Sequence, residues 1–413
     1  MANLNETVSA ERIHIGFFGI RNAGKSSVVN AVTGQQLALV SDVKGTTTDP
    51  VKKAMELLPL GPVVIIDTPG IDDTGALGKM RVERTHQMLA QTDLAILVAD
   101  TTVGLQDADR DLLRMFQERK LPYLVAFNKS DLKGGAAQAE PSCPDADAVP
   151  AENRLFVSAA TGENIFELKE RIGALAKGTK KERKILEGLV EPGDTVVLVI
   201  PVDKSAPKGR IILPQQQVLR ELLDNNCTAV VAQASDLPQA LAQLKYPPKL
   251  VITDSQAFKS VMRDTPEDVA MTSFSILFSR YKGNLLQQIR GTAQLAKLTD
   301  DDTVLISEGC THHRQCQDIG TVKIPGWVEH YCGARPSFEW TSGGEFPQDL
   351  SPYACVIHCG GCMLNEKEMH HRLAIAEAAG TPMTNYGLAI AEFHGILRRA
   401  LRPFPDILKE LEG

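Results

Sequence analysis

The sequence predicts an α/β protein of three domains, the first a doubly wound parallel sheet. Three observations lead there. The chain has 413 residues, more than one hydrophobic core ordinarily serves. From residue 11 to about 176, short apolar runs alternate with helix-patterned stretches, the order that builds a parallel sheet covered on both faces. The alternation resumes twice after a charged break at residues 177–187. The divisions predicted are therefore 1–176, 177–265 and 266–413.

Composition narrows the function classes. Hydrophobic residues make up 43% and charged ones 23%, which excludes wholesale disorder. A net charge of −7 leaves no basic excess to neutralise phosphates, so nucleic acid is not an expected partner. Apolar runs such as residues 94–99 fall far short of the ~18–20 residues of a membrane span. The opening residues lack a basic-then-apolar leader pattern, so a cytoplasmic location is expected. Eight cysteines in a chain this long are no disulfide scaffold; close-set Cys and His point to metal.

In the first division, strands are predicted over residues 13–18, 63–67, 94–100, 123–128 and 155–158, with an amphipathic helix over 107–120. Residues 177–187 are charged and helix-prone and predict a linker helix. The second division has strands at 195–201, 227–233 and 250–253 and helices at 215–225 and 237–244. It carries no nucleotide or metal motif, so assembly is its expected role. The third has helices at 273–281, 284–298, 366–379 and 388–402. Its strands, 303–307 and 354–357, each run directly into a Cys/His group, at the carboxyl ends where open sheets bind ligands.

The first chemical motif is a phosphate loop. Gly19, Gly24, Lys25 and Ser26 fit GxxxxGK[ST] between a strand and a helix, with Ala23 and Ser27 flanking the last glycine and the Ser. Its backbone N–H groups wrap phosphates, Lys25 reaches the β- and γ-phosphates, and the Ser26 hydroxyl ligates Mg²⁺. Asp67 closes a strand in Asp-Thr-Pro-Gly, where its carboxylate serves the Mg²⁺ shell and the Gly70 N–H meets the γ-phosphate. Asn128, Lys129 and Asp131 close the next-but-one strand. The Asp131 carboxylate can accept from guanine N1–H and the N2 amine, donors that adenine lacks. Ser158, Ala159 and Ala160 offer backbone amides to the guanine carbonyl. Together they predict a GTP site.

Gly45, Thr46, Thr47, Thr48 and Asp49 resemble the first switch of the Era and MnmE branch of GTPases. By that resemblance Thr47, or failing it Thr46, ligates Mg²⁺, and the second switch runs from Gly70 to about residue 84. The groups expected to act in catalysis are Lys25, Thr47, Asp67 and Gly70. Ile71 stands where a water-orienting Gln is found in Ras-like proteins. Asn22 lies where this branch binds K⁺ through a side-chain carbonyl, an ion able to supply the charge of an arginine finger. An exposed turn residue is the other reading of Asn22.

The second motif is Cys310, His312, then His358, Cys359 and Cys362, with 45 residues between the two histidines. A CxxC loop brings two thiolates together, and Gly360 and Gly361 let it fold tightly. Three Cys plus one further ligand hold a [4Fe–4S] cube; the same set with His holds tetrahedral zinc. Spacing alone leaves both open. Cys355 reads as core, Cys143 as loop and Cys227 as the start of a strand. Cys316 and Cys332 are conceivable further ligands, while His313, His370 and His371 read as surface.

A GTPase of this branch followed by CxH…HCxxC resembles HydF, the family of [FeFe]-hydrogenase maturation GTPases, over essentially the whole chain. The resemblance implies a P-loop GTPase domain, a dimerisation domain and an iron–sulfur domain. It implies a [4Fe–4S] cluster on Cys310, Cys359 and Cys362, with His312 and His358 as candidates for the fourth position or its surroundings. It implies a homodimeric scaffold receiving a transient diiron precursor, with CO, cyanide and a dithiolate bridge, from the radical-SAM enzymes HydE and HydG. The precursor then passes to apo-[FeFe]-hydrogenase, and GTP turnover regulates partner association. The chain has no CxxxCxxC signature of its own. The rivals are an RNA-associated GTPase like MnmE or Era with a zinc domain, which the acidic balance disfavours, and an iron–sulfur regulator without cargo. If Asn22 binds K⁺, GTP hydrolysis is slow and faster in K⁺ than in Na⁺; equal steady-state phosphate release in the two salts contradicts that assignment.

Overall fold

Strand β1 (Ile13–Phe18) is buried along its whole length, as an apolar run covered on both faces must be. It is the centre of a six-stranded sheet of order β2-β3-β1-β4-β5-β6. The others are β2 (Val51–Leu57), β3 (Gly61–Asp67), β4 (Leu94–Asp100), β5 (Tyr123–Asn128) and β6 (Arg154–Phe156). All pair in parallel except β2, which runs antiparallel to β3. Strand alternation sorts the core. Leu94, Ile96 and Val98 face the helices Lys25–Thr33 and Ile165–Thr179, whereas Ala95, Leu97 and Ala99 face the helix Asp107–Glu118. This computed structural model describes residues 12–34, 51–57, 61–68, 85, 87–179, 183–202, 211–309, 318–343 and 345–412.

The sheet belongs to the first of two units, Met1–Lys181; the second is Glu182–Gly413. The second unit holds two four-stranded parallel sheets. One has the order β10-β9-β7-β8, built from β7 (Thr195–Val199), β8 (Thr228–Ala232), β9 (Leu250–Thr253) and β10 (Ala270–Ser273). Its edge strand β10 comes from beyond residue 265. The other has the order β12-β11-β13-β14, built from β11 (Thr303–Glu308), β12 (Ser337–Ser342), β13 (Cys355–His358) and β14 (Met383–Asn385). Leu285, Ile289, Leu388, Leu401 and Phe404 join the cluster built on Val196–Val199 and Ile252, so helices late in the chain help bury the earlier sheet.

Three helical expectations differ. Residues 185–189 form turns, and the preceding helix ends as Ile165–Thr179. The reason is tertiary. Ile185 and Leu186 are buried, and their N–H groups donate to the Glu221 carboxylate at 2.8 and 2.7 Å instead of to a helix turn. The stretch 388–402 divides into Tyr386–Phe393 and Leu397–Ala400 around Gly395 in the left-handed region. The stretch 284–298 divides into Leu285–Thr292 and a 3₁₀ turn, Leu295–Lys297. Strands β2 and β12 were not anticipated because their side chains are largely exposed and carry no apolar run.

Candidate functional site

In the first unit, parallel pairing brings the ends of β1, β3, β4 and β5 to one edge of the sheet. The loop after β1 closes with Gly24 at φ 87°, and a Cβ there would stand 2.3 Å from Asn128 Nδ2. Only glycine permits both the conformation and the approach. Asn22 is also left-handed, at φ 63°. The Lys25 ammonium donates to the Gly19 and Ile20 carbonyls at 2.9 and 2.8 Å, lying across the mouth of the loop.

Ser26 Oγ donates to Asp67 Oδ2 at 3.3 Å. Asp67 Oδ1 is buried with no hydrogen-bond partner among the described residues. Burial raises the Asp67 pKa against the opposing pull of Lys25 and Ser26. A hydroxyl and an unsatisfied carboxylate oxygen side by side fit a hard cation such as Mg²⁺. Thr46, Thr47 and Gly70 lie outside the described residues.

Asn128 ties the base-recognition segments to the phosphate loop. Its Nδ2 donates to the Ala23 carbonyl, and its Oδ1 accepts the Ala159 N–H, both at 3.1 Å. Lys129 donates to the Asn22 carbonyl at 2.8 Å and to Asp100 Oδ2 at 2.5 Å. Burial works against the Asp100 carboxylate, but hydrogen bonds from Lys129 and Thr102 hold its pKa below the ordinary value. Ser158 Oγ donates to Asp131 Oδ1 at 2.6 Å and so orients that carboxylate. Ala160 is exposed beside Ala159, and Ser27 lies in the first turn of the helix Lys25–Thr33.

Sequence reasoning missed three acids. Asp100 ends β4 as Asp67 ends β3, a position that could have marked it. Glu163 accepts the Ser130 hydroxyl at 2.6 Å and the Ala136 N–H at 2.9 Å. Asp109 is fully buried; burial raises its pKa against hydrogen bonds from the Gln106 and Ile20 N–H groups, the latter in the phosphate loop.

In the second unit, β11 and β13 are parallel neighbours with Ser307 opposite His358. The Cys359 N–H continues the ladder to the Ser307 carbonyl at 2.8 Å. Cys359 Sγ accepts the N–H groups of Gly309 at 3.0 Å and Gly361 at 3.4 Å. Burial pushes the Cys359 thiol up to about 11 against those two bonds, and raises Cys362 against the charge of Lys282. Gly361 is left-handed at φ 61°, and a Cβ there would stand 2.4 Å from Met369 Cε. Lys282 holds the end of the loop, donating to the Cys362 and Leu364 carbonyls, each at 3.0 Å.

His358 is wholly buried, and burial first, with Arg372 second, pushes its pKa down to about 3, so the imidazole is neutral. Cys310, His312, His313 and Cys316 lie outside the described residues. No group of three or more metal-ligating side chains occurs among the described residues. Two soft thiols converging on one loop, one already receiving N–H bonds, are nevertheless a donor set suited to zinc or iron–sulfur chemistry. Cys143, Cys227 and Cys355 are buried, and Cys332 is half-buried. No helix among the described residues is long and apolar enough to cross a membrane.

Residues 14–129 match a profile described as 50S ribosome-binding GTPase. Residues 185–283 match the hydrogen maturase F dimerization domain, and 286–403 the hydrogen maturase F tetramerization domain. Among curated proteins, the chain is 40% identical over 128 residues to the tRNA modification GTPase MnmE of Chromobacterium violaceum, covering 31% of this chain and 28% of that one. With MnmE of Nitrosomonas europaea it is 34% identical over 160 residues, covering 38% and 34%. The chain thus spans about a third of the length of these relatives. A variant of Aquifex aeolicus Era bound to GDP·AlF₄⁻ is similar in structure at TM-score 0.36 and 20% identity, over 57% of this chain and 98% of that one.

The fold and matches define a P-loop GTPase domain followed by two α/β domains of an assembly type. The chain belongs to the hydrogen maturase F family. Within the GTPase domain, Asn128→Ala removes the link between the phosphate loop and Ala159 and is expected to weaken guanine-nucleotide binding by about tenfold or more, or ~1.4 kcal/mol. Calorimetric titration checks it; unchanged affinity contradicts the bridging role.

Proposed function

We propose that the chain is a GTP-hydrolysing scaffold for [FeFe]-hydrogenase maturation, holding a [4Fe–4S] cluster and a transient diiron precursor that it delivers to apo-hydrogenase. The observation that carries this reading is the meeting of the β11 and β13 ends. There the Cys359–Cys362 loop abuts the segment leading to Cys310, inside a region matching the hydrogen maturase F tetramerization domain. The MnmE relatives match over the GTPase domain, so tRNA modification does not extend to the residues that carry the thiols.

In the nucleotide site, Lys25 leaves the Gly19 and Ile20 carbonyls for the β- and γ-phosphates, and Asp131 reads guanine. Ser26, Asp67 and Thr47 are the residues to hold Mg²⁺, which supplies charge neutralisation between the phosphates; Asn22 is the residue to hold K⁺. Gly70 presents its N–H to the γ-phosphate. In the second unit Cys310, Cys359 and Cys362 are the cluster ligands. With no fourth cysteine in the set, a cluster held by these residues would keep one iron open to exchange with an outside ligand.

Assembly falls to the second unit. Five large apolar side chains between residues 185 and 283, Val202, Ile212, Leu223, Val231 and Tyr246, are exposed, and Val231 lies on the edge strand β8. An edge strand with an exposed apolar side chain supports pairing with a second copy. The working partners are apo-[FeFe]-hydrogenase, HydE and HydG, in the cytoplasm. The divisions 1–176, 177–265 and 266–413 are proposed for the nucleotide, dimerisation and cluster roles, with β10 and later helices from beyond residue 265 completing the sheet of the second.

Cys359→Ser and Cys362→Ser are expected to abolish activation of apo-hydrogenase in an anaerobic cell-free mixture with HydE and HydG, while GTP turnover stays within about twofold of the parent. Hydrogen evolution and phosphate release measure the two. Full activation by both variants contradicts the carrier role.

A further inference from the structure

The start of the Cys359–Cys362 loop is fixed by a buried arginine that no motif announces. His358 Nδ1 lies 2.6 Å from the Cys359 carbonyl, and its Nε2 lies 2.9 Å from Arg372 Nη1. A carbonyl only accepts, so Nδ1 carries the ring proton; a guanidinium only donates, so Nε2 offers it a lone pair. That lone pair is the one a metal would take. It cannot serve both.

Arg372 is itself immobilised. On the helix Glu366–Ala378, it is 1% exposed. Its Nη2 donates to Glu368 Oε1 and to the Gly343 carbonyl, both at 2.7 Å. The Phe346 ring lies 5.1 Å from the guanidinium carbon. Its Nε already has no hydrogen-bond partner among the described residues. Swinging His358 away to bind metal would orphan a second donor of the same buried cation, beside a ring that is itself wholly buried.

We propose that Arg372 is a positioning residue for the metal-binding loop, acting through His358: it withholds the imidazole from the metal and fixes the peptide from which the Cys359 thiolate projects. The inference rests on the cluster reading above and deepens it, because it leaves the fourth coordination site to a group other than His358. Gln at 358 can keep one donor and one acceptor, whereas Met at 372 keeps the length of the arginine stem without its donors.

The test uses the full chain with labelled [¹⁵N]histidine, reconstituted without oxygen, reduced, and examined by pulsed EPR after iron and sulfide analysis. Strongly coupled histidine nitrogen is expected to be the same in the parent and in His358→Gln. Arg372→Met is expected to gain a coupled nitrogen, and the double variant Arg372→Met/His358→Gln to lose it again. A coupling present in the parent and missing from His358→Gln overturns the proposal, even if Arg372→Met does not fold. So does a folded, iron-bearing Arg372→Met that gains none. A parent without iron or sulfide overturns the cluster reading and this inference with it, a result told apart by the metal analysis alone.

Discussion

Parallel pairing is the constraint on which both sites depend. When neighbouring strands run the same way, their carboxyl ends lie along one edge, and whatever follows each strand is gathered there. In the first unit this collects the phosphate loop after β1, Asp67 at the end of β3, Asp100 at the end of β4 and Asn128 at the end of β5. In the second unit it sets Ser307, near the end of β11, opposite His358, at the end of β13, so that Gly309 and Cys359 meet through an N–H···S bond. Residues 50 positions apart become neighbours because two short apolar strands share a register.

Burial then decides the chemistry of what has been gathered. Desolvation works against the charged forms of Asp67, Cys359 and Cys362 and raises the pKa of each. A bound cation removes that penalty by neutralising the charge that burial disfavours. The same arrangement surrounds the thiols with fixed donors: the amides of Gly309 and Gly361, and Lys282 and Arg372 bracing the loop's two ends. These groups do not need to reorganise when an anionic core is present.

Much of this was legible before any coordinates. Strands β1, β4, β5 and β9 stand where continuous apolar runs put them, because a strand covered on both faces has no other pattern to show. The GxxxxGKS loop and the Asn128–Asp131 segment were legible because phosphate and guanine recognition demand fixed residue types at fixed spacings. What stayed hidden depends on distant partners. Ile185 and Leu186 leave a helix-prone charged run because Glu221, on another element, accepts their N–H groups. Arg372 looks like an ordinary i+4 partner of Glu368, and nothing local says that His358 lies against it. Strand β12 is made of exposed and half-exposed residues and gives no apolar signal.

The central claim is that the thiols beside the ends of β11 and β13 hold an iron–sulfur core. Elemental analysis of the chain purified without oxygen, read together with its EPR spectrum after reduction, tests this most directly. The account predicts about four irons and four sulfides per chain and a spectrum of a reduced cube. A colourless protein with about one zinc per chain and no iron contradicts it.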